Sequence, residues 1–202
     1  MGDRAFDCCS LTTSLFWKTV MIAALLAAGT SSRFGSCKQL ALFQNKPLID
    51  HAFESIPNRV EKILVTGAYR AELETWAEPH SILCLYNAEF SRGIGSSIKL
   101  AAKHAAKVDE DLLLMLTDTP LVKLNHLEKL ASQFRDKPIF SDFKNALGPP
   151  AIIPKAFVQE LFNLPDSKGA KFLFDDFDTC EFNQCYEDVD TTADLVQMHL
   201  QF

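Results

Sequence analysis

The chain has 202 residues, 48% of them hydrophobic and 23% charged, with a formal net charge of -6 and a pI near 5.3. That length suits one α/β domain with a substantial core and is too short for two ordinary domains, and the composition excludes disordered, fibrous and membrane classes. The acidic balance also excludes a broad basic face for nucleic acid, so any phosphate contact has to be local.

At the N-terminus, Arg4 followed by the apolar run Met21 to Ala28 faintly mimics a secretion signal. Asp3, Asp7 and Lys18 break that pattern, and cleavage near Ala28 would cut through the most informative motif in the chain. Residues 1–19 are therefore expected to be an appended tail, disordered or an artefact of the start site, and residues 20–202 to form the domain. No later stretch reaches the roughly 18 to 20 apolar residues of a membrane helix. The six cysteines, Cys8, Cys9, Cys37, Cys84, Cys180 and Cys185, have no framework spacing. Reduced thiols and a cytoplasmic location are the expectation, and Cys180 and Cys185 lack the second pair that a zinc site requires.

From Val20 onward short apolar runs alternate with amphipathic stretches, the pattern of βαβ units. Strands are predicted at Met21 to Leu26, Lys62 to Thr66, Ile82 to Leu85, Leu112 to Leu116, near Ile139, at Ala151 to Ile153 and at Glu181 to Cys185. Helices are predicted at Pro47 to Ser55, Tyr69 to Ala77, Ser96 to Lys107, Leu124 to Phe134, Lys155 to Phe162, Ala170 to Phe174 and Thr192 to His199. The pieces make an α/β fold, a single-domain Rossmann-like three-layer sandwich with a mostly parallel sheet. Ligands of such sheets sit beyond the carboxyl ends of the strands, which directs attention to the residues just after each strand.

The first such loop runs Leu26-Ala27-Ala28-Gly29-Thr30-Ser31-Ser32-Arg33-Phe34-Gly35-Ser36-Cys37-Lys38-Gln39. Glycines allow close backbone approach, free N–H groups can bind phosphate oxygens, and Arg33 and Lys38 place positive charge where the chain otherwise lacks it. It is neither a Walker loop nor a dinucleotide fingerprint. Composition alone would equally fit a flexible polar turn.

The order of residues decides between them, because the string closely resembles Leu-Ala-Ala-Gly-x-Ser-x-Arg-Met-Gly-x-x-Lys, the signature of nucleotidyltransferases typified by molybdenum cofactor cytidylyltransferase, with Phe34 in place of methionine. Four later segments continue the resemblance in order: Asn87 to Ile98 with its Gly93-Ile94-Gly95-Ser96-Ser97, Leu116-Thr117-Asp118-Thr119-Pro120, Gly148-Pro149-Pro150-Ala151, and Asp188-Val189-Asp190-Thr191-Thr192-Ala193-Asp194-Leu195. The fold implied is that of the nucleotide-diphospho-sugar transferases. The activity implied is transfer of a nucleoside monophosphate to a phosphorylated acceptor with release of pyrophosphate.

Asp118 ends a strand beside the first loop, where a carboxylate can hold magnesium; taken alone, Asp-Thr-Pro reads equally as a helix cap. In relatives the last motif supplies a second metal ligand, which makes Asp190 the natural choice, with Asp188 competing, although an acidic turn before a helix is usually only solvated. The resemblance thus implies Mg2+ at Asp118 and Asp190, Lys38 at the α-phosphate and Arg33 toward the leaving pyrophosphate. It implies nucleotide contacts from Leu26, Ala27, Ala28, Gly29, Thr30, Ser31 and Ser32, and from Gly93, Gly95, Ser96 and Ser97, although serines there also suit a plain helix start. Leu-Ala-Ala-Gly resembles the cytidylyl branch more than the guanylyl branch, so CTP is favoured, with molybdopterin as acceptor.

Pro149, standing where the family has histidine, and the partial match of Asp166-Ser167-Lys168-Gly169-Ala170-Lys171 keep a sugar phosphate or another small phosphorylated acceptor open. A partner of molybdoenzymes that binds nucleotide without turnover, in a chaperone role, is the reading from a different class. His51, His80, His104, His126 and His199 do not cluster, and no nucleophile elbow is present, so hydrolase chemistry has no support.

Overall fold

The computed structural model describes residues 21–144, 146–183 and 188–201. The tail assigned to residues 1–19 and the end of the last predicted strand at Cys185 lie outside the described residues. Strand β1 (Met21–Leu26) is buried along its whole length, as an apolar run without alternation requires of a central strand. Two short strands, β2 (Leu42–Phe43) and β3 (Lys46–Pro47), form a small hairpin that sequence periodicity did not indicate. The chain then alternates through α1 (Leu48–Ser55), β4 (Glu61–Thr66), α2 (Arg70–Ala77), β5 (Leu83–Tyr86), α3 (Ile94–Val108), β6 (Asp111–Leu116), α4 (Leu124–Gln133) and β7 (Ile139–Asp142). It closes with β8 (Leu147–Ile153), α5 (Lys155–Val158), β9 (Asp178–Glu181) and α6 (Thr192–Gln201).

The seven-stranded sheet has the order β5-β4-β1-β6-β8-β7-β9. Strands β5, β4, β1 and β6 run parallel; β8 pairs antiparallel with β6 and β7, and β9 returns parallel to β7. Alternate residues of β1 feed the two helical layers. Ala23 and Leu25 join the core under α1, α2 and α4, while Ile22, Ala24 and Leu26 join the core under α3. This is the three-layer sandwich expected, and no helix among the described residues is long and apolar enough to cross a membrane. Cys37, Cys84 and Cys180 are free thiols.

Several boundaries differ from those expected, and β8 starts at Leu147, four residues before Ala151. The predicted strand at Glu181 to Cys185 instead occupies Asp178–Glu181, because β9 takes its register from β7, and the pairing stops where the Phe182 N–H reaches the Asp142 carbonyl at 2.8 Å. Phe182 leaves the ladder and buries its ring against Phe143 and His126. The helix predicted over Lys155 to Phe162 keeps α geometry for one turn and continues as 3-10 over Gln159–Asn163. Val158, Leu161 and Leu164 are all buried, and a spacing of three suits the three-residue turn of a 3-10 helix. Ala170–Leu173 is likewise 3-10.

Helix α3 begins two residues before the predicted Ser96, at Ile94, behind Gly93 with φ +124°. Its Gly95 N–H donates to the Asp166 carbonyl at 2.8 Å, and a Cβ on Gly95 would lie 2.3 Å from the Pro165 carbonyl oxygen. The α3 start and the 165–168 turn are thus welded backbone to backbone. Replacing Gly95 with alanine is expected to cost about 2 kcal/mol, read as a lowered denaturation midpoint, since backbone cannot retreat as a flexible side chain can.

His126, buried on α4, shares a 2.7 Å hydrogen bond with Ser141, whose hydroxyl donates to the Pro150 carbonyl. Burial, with a smaller push from Lys129, drives its pKa down to about 4. The unfolded chain protonates first, near 6.5, so the stability this histidine contributes is complete above that pH and is lost as pH falls toward 4. The loss should amount to about 3 kcal/mol. His126→Leu should flatten the stability profile between pH 6.5 and 4, as measured by denaturant titration at each pH.

Candidate active site

The exits of β1, β4 and β6 gather at one edge of the sheet. The Ala27 N–H extends the β1 ladder to the Val65 carbonyl at 2.9 Å, and the Ala28 carbonyl accepts from the Ala68 N–H. A Cβ on Gly67 would stand 2.4 Å from the Ala28 oxygen, so only glycine lets the two exits come this close. After Ala28 the chain leaves the sheet. Nothing lies within 4 Å of where a Gly29 side chain would begin, which leaves that backbone bare toward the cleft. The turn tightens through the Phe34 and Gly35 N–H groups, both donating to the Ser31 carbonyl, with Ser31 and Gly35 at positive φ. Buried Gln39 anchors the loop, its amide oxygen accepting from the Ser31 hydroxyl at 3.5 Å and the Cys37 thiol at 3.4 Å.

A short 3-10 turn, Lys38–Leu40, then aims the Lys38 ammonium back at the sheet edge. It lies 2.6 Å from Asp118 Oδ2 and 3.1 Å from Asp190 Oδ1. Burial by itself would push the Lys38 pKa down, but the two carboxylates outweigh it and the net shift is upward. The second Asp190 oxygen meets Arg33 at 2.6 Å. These two pairings differ in weight. Arg33 is 70% exposed, and an ion pair in water contributes about 0.2–1 kcal/mol, whereas the Lys38 side chain is only 11% exposed and its contacts are shielded.

Asp118 follows β6, beside Thr117, whose hydroxyl donates to the Leu26 carbonyl. Helix α4 starts later, at Leu124 behind Lys123, so Asp118 caps no helix. Its Oδ1 is buried and has no hydrogen-bond partner. The acidic turn carrying Asp190 is held against it by a backbone bond, the Val189 N–H to the Asp118 carbonyl at 2.9 Å. That turn is fixed from its other side by Asp194, whose carboxylate accepts from the Asp190 and Thr191 N–H groups at 3.0 and 2.7 Å. The Asp194 N–H returns a bond to Thr191 Oγ1, a reciprocal cap on α6. These bonds, the Thr191 backbone first, lower the Asp194 pKa. Asp188, an exposed residue of the same turn, is outside the cleft lining but near enough to act on Asp190, Asp118 and Lys38. Its pKa is raised, by partial burial first and by the Asp190 carboxylate next.

The far wall is built around Asn87. Its backbone N–H continues the β4 edge to the Thr66 carbonyl, its amide donates to the Ser96 and Ser97 hydroxyls at 2.8 and 2.9 Å, and its oxygen accepts from the Glu89 N–H. Ser96 is used up inside this wall, within reach of the Gly93 and Glu89 carbonyls, while Ser97 faces the cleft. Neither serine caps α3. Arg92 and Lys99 both pair with Asp166, whose pKa they lower, with the Lys99 hydrogen bond the larger cause. Lys168 and Lys171 lie over the Phe172 and Phe177 rings rather than in the cleft.

Between these walls lies a cleft of about 360 Å³, within the range of small-molecule sites. It brings together Leu26, Ala28, Gly29, Thr30, Ser31, Ser32, Arg33 and Lys38 from the first loop with Gly93, Ser97, Asp118 and Asp190. Of the residues picked out in the sequence, Ala27, Gly95, Ser96 and Asp188 do not line it; the first three hold its walls. Phe90, Gln39 and Thr117, which do line it, were not picked out individually. Asn87 and Asp194 were passed over as site residues, although Thr191 to Asp194 carries the spacing of a capping box and could have been read as one.

Among the described residues no group of three or more His, Cys, Asp or Glu side chains comes together as a metal cage. Asp118 and Asp190 are nonetheless hard oxygen donors, and the orphaned Asp118 Oδ1 wants a partner. Two carboxylates completed by water and phosphate oxygens are what magnesium uses, so the residues present fit such an ion.

Known proteins share this sequence pattern and this fold. Molybdenum cofactor cytidylyltransferase from Escherichia coli (strain K12) is 24% identical over 178 residues, spanning 85% of this chain and 92% of that protein. Rv0371c from Mycobacterium tuberculosis H37Rv, solved in complex with manganese, matches with a TM-score of 0.73 at 18% identity, covering 91% of this chain and 100% of that one. The inositol-1-phosphate CTP transferase from T. maritima matches with a TM-score of 0.68 at 16% identity, covering 90% and 96%. The model of the MobA-like NTP transferase domain matches residues 23–181, and the chain belongs to that family of nucleotidyltransferases.

Proposed function

We propose that this enzyme transfers CMP from CTP to the phosphate of molybdopterin with magnesium bound at Asp118 and Asp190, in the cytoplasm. The observation that carries the reading is the meeting of Lys38, Arg33, Asp118 and Asp190 at one end of a cleft whose other end is lined by Gly93 and Ser97. A triphosphate lies naturally at the charged end and a nucleoside at the other. The preference for CTP rests on Leu26-Ala27-Ala28-Gly29 and on the cytidylyltransferase relative.

In this scheme the backbone amides from Gly29 to Ser32 cradle the phosphates, Lys38 holds the α-phosphate, and Arg33 follows the departing pyrophosphate. An oxygen of the acceptor phosphate attacks the α-phosphorus, the bond to the bridging α–β oxygen breaks, and pyrophosphate leaves with that electron pair. No protein nucleophile is required. Alignment and charge stabilisation supply the rate. A bound magnesium ion supplies neutralisation of charge on the phosphoryl oxygens.

A second reading keeps the triphosphate site and changes the acceptor to a sugar or polyol phosphate. It is favoured by Pro149, which replaces the family's histidine, and by the likeness in fold to the inositol-1-phosphate CTP transferase.

Pyrophosphate release, measured with each of the four nucleoside triphosphates, magnesium and either molybdopterin or sugar phosphates, separates these readings. Turnover is expected with CTP and molybdopterin; turnover confined to a sugar phosphate would remove the pterin assignment, and none with any pair would leave only a binding protein. Asp118→Asn is expected to lower turnover by about a hundredfold or more with the fold intact. A folded variant with native rates would rule out Asp118 as a metal ligand.

A further inference from the structure

We infer that Lys38 is also a place-holder: its ammonium keeps divalent cations out of the Asp118–Asp190 gap until a triphosphate draws it away, so that metal and nucleotide enter together. This rests on the reading of the two carboxylates as metal ligands given above.

The geometry is specific. The Lys38 nitrogen touches Asp118 Oδ2 at 2.6 Å and Asp190 Oδ1 at 3.1 Å, so it occupies the space common to both carboxylates. Magnesium takes its oxygens at about 2.0–2.1 Å, so an ion on these same atoms would be pressed against a shielded ammonium. Like charges at that distance repel strongly, and little water reaches the pair to screen them. The charges in direct contact sum to zero, Lys38 and Arg33 against Asp118 and Asp190, so the two carboxylates that would hold a cation are already neutralised by contact, with the Asp188 carboxylate acting on them only from a distance.

A triphosphate changes both conditions. It offers the ammonium several anionic oxygens a short side-chain movement away, along a loop whose residues Gly29 to Ser32 line the cleft. Once Lys38 turns to the phosphates, the two carboxylates stand uncompensated and their demand for a cation rises. Arg33, paired only in solvent, can follow at small cost. Because coupling is reciprocal, the metal must then strengthen nucleotide binding by the same factor.

The test is Mn2+ binding to the nucleotide-free full chain, followed by the electron paramagnetic resonance signal of the free ion and by calorimetry. Lys38→Met, which keeps length and removes charge, is expected to bind Mn2+ about tenfold or more tighter than the native protein, within the usual range of coupling between linked sites. Its thermal midpoint should also rise more on adding Mn2+. Should Lys38→Met fail to fold, Lys38→Ala gives the same comparison. Binding no tighter than native, in a series where Asp118→Asn weakens Mn2+ binding, overturns the displacement alone. Mn2+ binding unaffected by Asp118→Asn, or absent from every variant, removes the metal-ligand reading and the displacement with it.

Discussion

One ammonium between two carboxylates organises this end of the molecule. Lys38 and Asp190 are separated by 152 positions in the chain, and Asp118 comes from a third segment, yet their charged atoms meet within 3.1 Å. Such a cluster costs desolvation, and it persists because each member is positioned by backbone rather than by the ion pairs themselves. Lys38 stands on its 3-10 turn, Asp118 leaves the buried β6, and the Asp190 turn is tied to Asp118 through Val189 and to α6 through Asp194. The parallel sheet supplies the common edge on which these supports can converge.

The opposite wall is built from neutral hydrogen bonds and close backbone contact. Asn87 gathers Ser96, Ser97 and Glu89, and Gly95 lets α3 sit directly on the 165–168 turn. The two ends of the cleft therefore differ in kind: neutral hydrogen bonds and backbone contact on one side, charged side chains on the other. The Arg92, Lys99 and Asp166 contacts close the back of this wall, so the positive charge of Arg92 and Lys99 is spent on structure rather than on substrate.

Much of this was legible before any coordinates. The central strand was legible over its full length because an apolar run without alternation fits a strand covered on both faces, and β4, β5 and β6 followed within one or two residues. The first loop, Asp118 and Asp190 stood out because their residue types and order are those of the family, and the structure brings them to one cleft. Short segments were harder. The 3-10 turns at Gln159–Asn163 and Ala170–Leu173 carry apolar spacing that an α-helix also tolerates, and β9 holds a register set by β7 rather than by its own side chains.

The sequence by itself determined the α/β alternation, the strand-end location of the site and the chemical kind of its groups, since these follow from local periodicity and residue type. Tertiary structure alone decided which of those groups share a cleft. It placed Ser97 inside and Ser96 in the wall, Asp190 against Lys38 and Asp188 outside the cleft lining, and it set Lys38 between both acids. Neighbours along a chain point in different directions, and which direction faces a ligand is settled by backbone bonds to segments far away in sequence, such as Val189 to Asp118, which no local pattern encodes.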